Sequence, residues 1–159
     1  MFQEMLQIGS GGGSEDIDFG VTLFKNGKQY ETITGGWTGN GYSAPGNTHH
    51  NGTITDGKLT VNGNSYSGDH DFIIGTANAI DFTSLKSQGY KKICFIGNCV
   101  GSYFFMNSNK IITGNSTIWS SIDSGKSFYS YDIPDGNLYV AFVTYAGNRY
   151  CEIPYVFIY

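Results

Sequence analysis

The residues best suited to chemistry in this chain form two short polar clusters, His49-His50 and Asp69-His70-Asp71. Imidazole and carboxylate together suit zinc or another first-row metal. The spacing argues against a shared centre, because neighbouring side chains of a strand point to opposite faces and only one of His49 and His50 could ligate with ease. Asp69-His70-Asp71 follows Ser67-Gly68 and precedes an apolar stretch, the context of a solvated turn. Calcium is better provided for. Asp56-Gly57, Asp123-Ser124-Gly125 and Asp135-Gly136 offer carboxylate and carbonyl oxygens, although none has the spacing of an EF-hand. The expectation is no bound metal and no cofactor, with a structural calcium left open.

Covalent and acid–base chemistry has no signature. The chain has no Gly-x-Ser-x-Gly elbow and no recognisable Cys–His pair. Glycosidases need two carboxyl groups across a cleft, and most of the 13 acidic residues fall in turns or at strand ends. Asp81 is placed to cap a turn through its side chain. The glycine run at residues 9–13 lacks the Lys and Ser/Thr of a phosphate-cradling loop. The chain reads as a non-enzyme.

The three cysteines are Cys94, Cys99 and Cys151, an odd number that leaves at least one thiol free. Cys94 and Cys99 bracket Phe-Ile-Gly-Asn, where a tight turn could bring them close. Cys151 lies in an apolar-alternating stretch and reads as a small buried hydrophobe. Three reduced thiols are expected, because assembly in a reducing cytosol would leave them so.

Aromatic residues make up 16% of the chain, and Tyr and Trp can stack on a sugar ring or fill a partner's pocket. Trp37 and Tyr42 sit in a Gly-rich stretch and, with His49 and His50, are the candidate ligand-binding residues. Trp119, inside an alternating run, is assigned to the core, where cross-strand pairing claims most aromatics.

The elements that must position these residues are strands. Alternating runs bounded by turn residues recur from residue 19 onward, and no segment keeps a helical period over three turns. Asn26-Gly27 predicts a hairpin between residues 19–25 and 28–34. Residues 35–51 read as one long irregular loop of the kind that is usually functional. Further strands are expected over residues 58–66, 71–75, 90–97, 100–106, 110–113, 117–122 and 127–133. A closing hairpin is expected from residues 138–145 and 149–159 through Ala146-Gly147-Asn148. Residues 80–88 have room for one short helix. About a dozen strands of this kind predict an all-β, antiparallel two-sheet sandwich.

Composition bounds the rest. At 159 residues the chain is one domain of 19–159 preceded by an arm of 1–18. That arm combines Phe2, Met5, Leu6 and Ile8 with the Gly9-Ser-Gly-Gly-Gly-Ser14 tether, and its four apolar residues are the candidate attachment points to a larger particle. A net charge of −4 with Arg149 as the single arginine argues against nucleic acid, whose phosphates call for a clustered basic surface. No apolar run is long enough for a membrane helix. The opening residues carry no basic region and no cleavage site, so a chain made in the cytoplasm and released by lysis is expected.

One stretch is familiar. Asn78-Ala-Ile-Asp-Phe-Thr-Ser-Leu-Lys-Ser-Gln-Gly-Tyr-Lys-Lys-Ile-Cys-Phe-Ile96 resembles a segment of jelly-roll sandwiches on phage tail and baseplate proteins, where it feeds a long central strand. Tyr131-Asp-Ile133, Gly136-Asn-Leu-Tyr-Val-Ala-Phe-Val-Thr-Tyr145 and Pro154-Tyr-Val-Phe-Ile158 are similar to the final strands of galactose-binding-like modules. The resemblance covers about half of the chain. It implies a phage structural accessory protein, either a capsid decoration or a tail or fibre tip located in the virion. Its implied partners are other phage structural proteins, further copies of itself with a trimer favoured, and a host-surface glycan. A carbohydrate-binding module of a secreted or cell-surface enzyme is the alternative.

Overall fold

The computed structural model describes residues 20–122 and 124–159. Phe2, Met5, Leu6 and Ile8 lie outside the described residues. Thirteen strands and two short helices are described: β1 Val21–Lys25, α1 Glu31–Thr34, β2 Trp37–Thr38, β3 Thr48–Asn51, β4 Thr53–Thr55, β5 Lys58–Asn62, β6 His70–Thr76, β7 Ile80–Asp81, α2 Phe82–Ser87, β8 Lys92–Val100, β9 Ser102–Asn107, β10 Ile118–Ile122, β11 Phe128–Asp132, β12 Asn137–Tyr145 and β13 Tyr150–Ile158. They form a two-sheet sandwich. One sheet runs β11-β8-β13-β5-β4 with β1 also on β13. The other runs β10-β9-β12-β6-β2, with β3 on β6 and β7 on β12. Every pairing between the described strands is antiparallel except β3 with β6.

Strand alternation builds the core. Along β12, Leu138, Val140 and Phe142 point between the sheets, while Tyr139, Ala141, Val143 and Tyr145 point outward. The inner layer is aromatic at its centre: Phe95 meets Phe142 edge-on at 4.8 Å and Phe104 stacks on Tyr131 at 4.7 Å. Each fully buried ring contributes about 2 kcal/mol through the area removed from water. The outward residues of β12 are apolar as well because a second layer covers them. Residues 39–47 and 109–113 lie across this face, joined by the bridge between Ser43 and Ile111, and bring down Tyr42, Ala44 and Ile112. Gly75 on β6 makes room for that cover, since a Cβ there would lie 2.6 Å from the Tyr42 ring.

Local expectations are corrected in four places. The Asn26-Gly27 turn forms, but its second arm is α1, and β1 pairs instead with β13. The expected loop over residues 35–51 contains β2 and β3, which extend the seven-stranded sheet. Residues 110–113 form a covering segment with a single bridge and no strand. The closing hairpin is absent: β12 and β13 belong to different sheets, and the turn between them carries the chain across the sandwich. The helix expected within residues 80–88 is α2, and Asp81 caps it by accepting from the Ser84 backbone N–H at 2.9 Å.

Candidate functional site

The parallel pairing of β3 with β6 assembles both polar clusters of the sequence. Thr48 lies opposite His70, His49 opposite Asp71, and His50 opposite Phe72. Alternation then sorts them onto two faces. His49 and Asp71 lie on the outer face of the seven-stranded sheet, and His50, His70 and Phe72 on its inner side.

The outer group is a clasp. His49 Nδ1 lies 2.5 Å from Oδ1 of the fully buried Asp71, and the Ala44 backbone N–H donates to Asp71 Oδ2 at 3.2 Å. His49 Nε2 lies 2.9 Å from both the Gly39 carbonyl oxygen and Asn51 Oδ1, and Asn51 Nδ2 donates to Asn40 Oδ1 at 2.8 Å. Both ring nitrogens of His49 are thus engaged by oxygen acceptors, which leaves neither for a metal. A buried carboxylate needs such partners, and here they stitch residues 39–51 onto the sheet. The clasp presents no nucleophile, and its groups are spent on one another.

The inner group opens to solvent. His50 Nε2 and His70 Nδ1 are 2.8 Å apart. The His50 ring stacks on Phe72 with centroids 4.6 Å apart and planes 10° apart. Tyr66, 44% exposed, packs against His50 at 4.9 Å and Phe72 at 5.0 Å. These rings wall a cleft of about 250 Å³ completed by Asn51, Gly52, Thr53, Thr60 and Asn62. A Cβ at Gly52 would lie 2.7 Å from the Thr60 carbonyl oxygen, so glycine lets β3 turn into β4 this close to β5. Among the described residues no group of three or more His, Cys, Asp or Glu could hold a metal ion. The cleft instead combines aromatic faces with side-chain amides and hydroxyls. Aromatic faces beside amides and hydroxyls are the chemistry by which binding sites in general hold amphipathic ring ligands.

Of the expected ligand-binding residues, only His50 reaches this cleft. Trp37, 6% exposed, packs between Phe24 and Phe142 and donates from Nε1 to the Leu23 carbonyl at 3.0 Å. Tyr42, 2% exposed, donates from its hydroxyl to the Thr76 carbonyl at 2.7 Å, and burial raises that hydroxyl above its ordinary pKa. Both are core residues, because the Gly-rich stretch that carries them folds down onto the sheet. Trp119 departs the other way. It is half-buried on the outer face, stacked on Tyr103 at 4.4 Å. Tyr66 carried a visible signal, an aromatic beside the Asn62-Gly63-Asn64 turn. Phe72, Thr60 and Asn62 carried none, since only the meeting of β5 with the β3–β6 edge makes them neighbours.

The cysteines are corrected as well. Cys99 and Cys151 face each other on β8 and β13 and form a disulfide. Cys94 and Cys99 lie on one continuous strand, so no turn brings them together. Cys94 is free and buried, its Sγ 3.5 Å from Ser130 Oγ, and burial pushes its thiol up to about 11.

No protein-family model, curated protein or solved structure matches this chain.

Proposed function

We propose that this protein is a non-enzymatic structural protein of a phage particle that attaches to a host-surface glycan through the His50–Tyr66–Phe72 cleft. The observation that carries the binding reading is the cleft itself, with stacked rings on one wall and Thr and Asn side chains on the other. The particle setting rests on the sequence resemblance; in the fold, Ile80-Asp-Phe-Thr leads through α2 into the nine-residue β8, which lies between β11 and β13. One such cleft binds weakly, and many copies on one particle supply avidity.

The experiment is a glycan array probed with the protein displayed multivalently, alongside Tyr66→Ala and Asn62→Ala. Binding to a defined sugar class, lost in both variants while the fold is kept, supports the reading. An array that stays blank with the unsubstituted protein, or variants that bind equally well, removes it.

The disulfide favours a second reading, a carbohydrate-binding module of a secreted or cell-surface enzyme, because such bonds persist in oxidising compartments. Folding of the Cys99→Ala/Cys151→Ala double variant in a reducing cytosol separates the two. A soluble, cooperative product supports the particle reading, and a product that folds only with the bond intact supports secretion.

A further inference from the structure

We infer that the His50–Tyr66–Phe72 cleft takes an acidic sugar, one carrying a carboxylate or a phosphate, and that binding it adds one proton to the His50–His70 pair. This inference rests on the glycan reading and names the class of sugar. It starts from the groups the cleft still has to offer. The amide oxygens of its lining are engaged: Asn51 Oδ1 lies 2.9 Å from His49 Nε2, and Asn62 Oδ1 accepts from the Asn64 backbone N–H at 2.8 Å. Asn51 Nδ2 donates to Asn40, Thr60 donates to the Lys58 carbonyl at 3.1 Å, and Thr53 Oγ1 is paired with Thr55 Oγ1 at 2.8 Å. Asn62 Nδ2 has no hydrogen-bond partner among the described residues, and it can only donate. No carboxylate is among the described residues that line the cleft, so no like charge at its wall opposes an anion.

The imidazole pair decides the class. His50 Nε2 and His70 Nδ1 lie 2.8 Å apart, so one donates and the other accepts. Two neutral rings carry two protons between them. One proton fills the bridge, and the other leaves the pair with one donor and one bare nitrogen, whichever way the bridge runs. One added proton keeps the bridge and makes both remaining nitrogens, His50 Nδ1 and His70 Nε2, donors on a single positive charge. A second added proton would put a donor on each side of the bridge and break it. The surroundings suit that single charge. The His50 ring lies on the face of Phe72, with centroids 4.6 Å and planes 10° apart, and Tyr66 lies 4.9 Å away. An aromatic face attracts a cation at this range. An anion gains a charge-assisted hydrogen bond from the added proton, and a neutral sugar does not.

Other ionisable groups stand around the pair. Tyr66 packs on both rings, and Asp69, which precedes His70, is exposed. On β5 and β13, Lys58 and Glu152 pair at 3.6 Å, and the Arg149 side chain lies against Gly101. His49 and Asp71 hold each other on the opposite face of the sheet. Histidine is the side chain whose charge ordinarily changes in the mildly acidic range, so His49 is the competing source of a pH effect. An anion that prefers the protonated pair binds more tightly as pH falls. The gain is at most about tenfold per pH unit for one proton, and it levels off once the free protein already carries that proton.

The test is a glycan array bearing neutral sugars, uronates and sialosides, and sugar phosphates, probed with the full-length protein displayed multivalently at about pH 5.5 and about pH 7.5. Signals confined to acidic sugars and stronger at the lower pH support the inference, and the arm that lights up says which anion is held. Calorimetry of the best-bound sugar in buffers of different ionisation enthalpy should show net uptake of up to about one proton. His70→Gln, checked as folded by far-UV circular dichroism, should lose that pH response, which assigns it to the pair rather than to His49. Neutral sugars bound as well as acidic ones overturn the inference and leave the glycan reading standing, whereas a blank array removes both. Acidic sugars bound without proton uptake by the unsubstituted protein overturn it whether or not the variant folds, and so does a pH response unchanged in folded His70→Gln.

Discussion

Replacing Trp37 separates a core residue from a binding residue. Its indole is 6% exposed, meets Phe24 edge-on and Phe142 face-on with centroids 6.2 Å away in each case, and holds the buried Leu23 carbonyl through a 3.0 Å hydrogen bond. Trp37→Ala removes the ring from a packed layer and orphans that carbonyl, so the cost should be about 3–5 kcal/mol. For a chain of this length that is a fall in Tm of about 6–20 °C. Trp37→Phe keeps part of the volume and loses mainly the hydrogen bond, so about 1–2 kcal/mol is expected. Urea titration followed by far-UV circular dichroism measures both without relying on the tryptophan signal. Tyr66→Ala is the contrast: its half-exposed ring should cost less than about 1 kcal/mol, while on the function proposed above it removes the glycan signal. The reasoning fails if Trp37→Ala stays within about 1 kcal/mol of the parent and loses a ligand instead.

Three further outcomes follow from described contacts. Cys99→Ala/Cys151→Ala should lower stability by about 4 kcal/mol on the chain-entropy account, given a sequence separation of 52 residues, and thiol titration of the unfolded, unreduced parent should count one free thiol. Asp71→Ala strips the clasp from both His49 and the Ala44 N–H, so a loss of about 3 kcal/mol and faster proteolysis within residues 39–51 are expected; unchanged cleavage would show that the clasp does not hold that segment. Burial raises the Cys94 thiol to about 11, so the folded state holds this proton more tightly than the unfolded chain. Its contribution is complete below the ordinary thiol pKa and is lost as pH rises towards 11. Denaturant midpoints between pH 8 and 11 should therefore fall less in Cys94→Ala than in the parent.

The sandwich was legible because alternation and turn chemistry are local. Leu138, Val140 and Phe142 announce an inward face, and Asp81 announces the start of α2. Pairing was less legible because it is not local. Asn26-Gly27 makes its turn, yet β1 gains more by adding to β13 than α1 would by folding back as a strand. Ala146-Gly147-Asn148 reads the same whether it closes a hairpin or crosses between sheets, and only packing of both faces of β12 decides. The site was legible in parts. Alternation correctly placed His49 and His50 on opposite faces, but a parallel partner such as β6 leaves no mark in the sequence of β3. Trp37 and Tyr42 misled because glycines around an aromatic fit a solvent loop and a close-packed cover equally well.

The partner of β1 has a consequence for how the molecule is made. Val21 pairs with Ile158, so almost the first described residue waits for almost the last. On the ribosome, β1, β5 and β8 emerge before the strand they all pair with, and half of the sandwich has no middle until β13 has been made. The earliest apolar strands must be kept apart from other chains during that interval. A chain that stops before β13 would yield no smaller working domain, only a sheet without its axis.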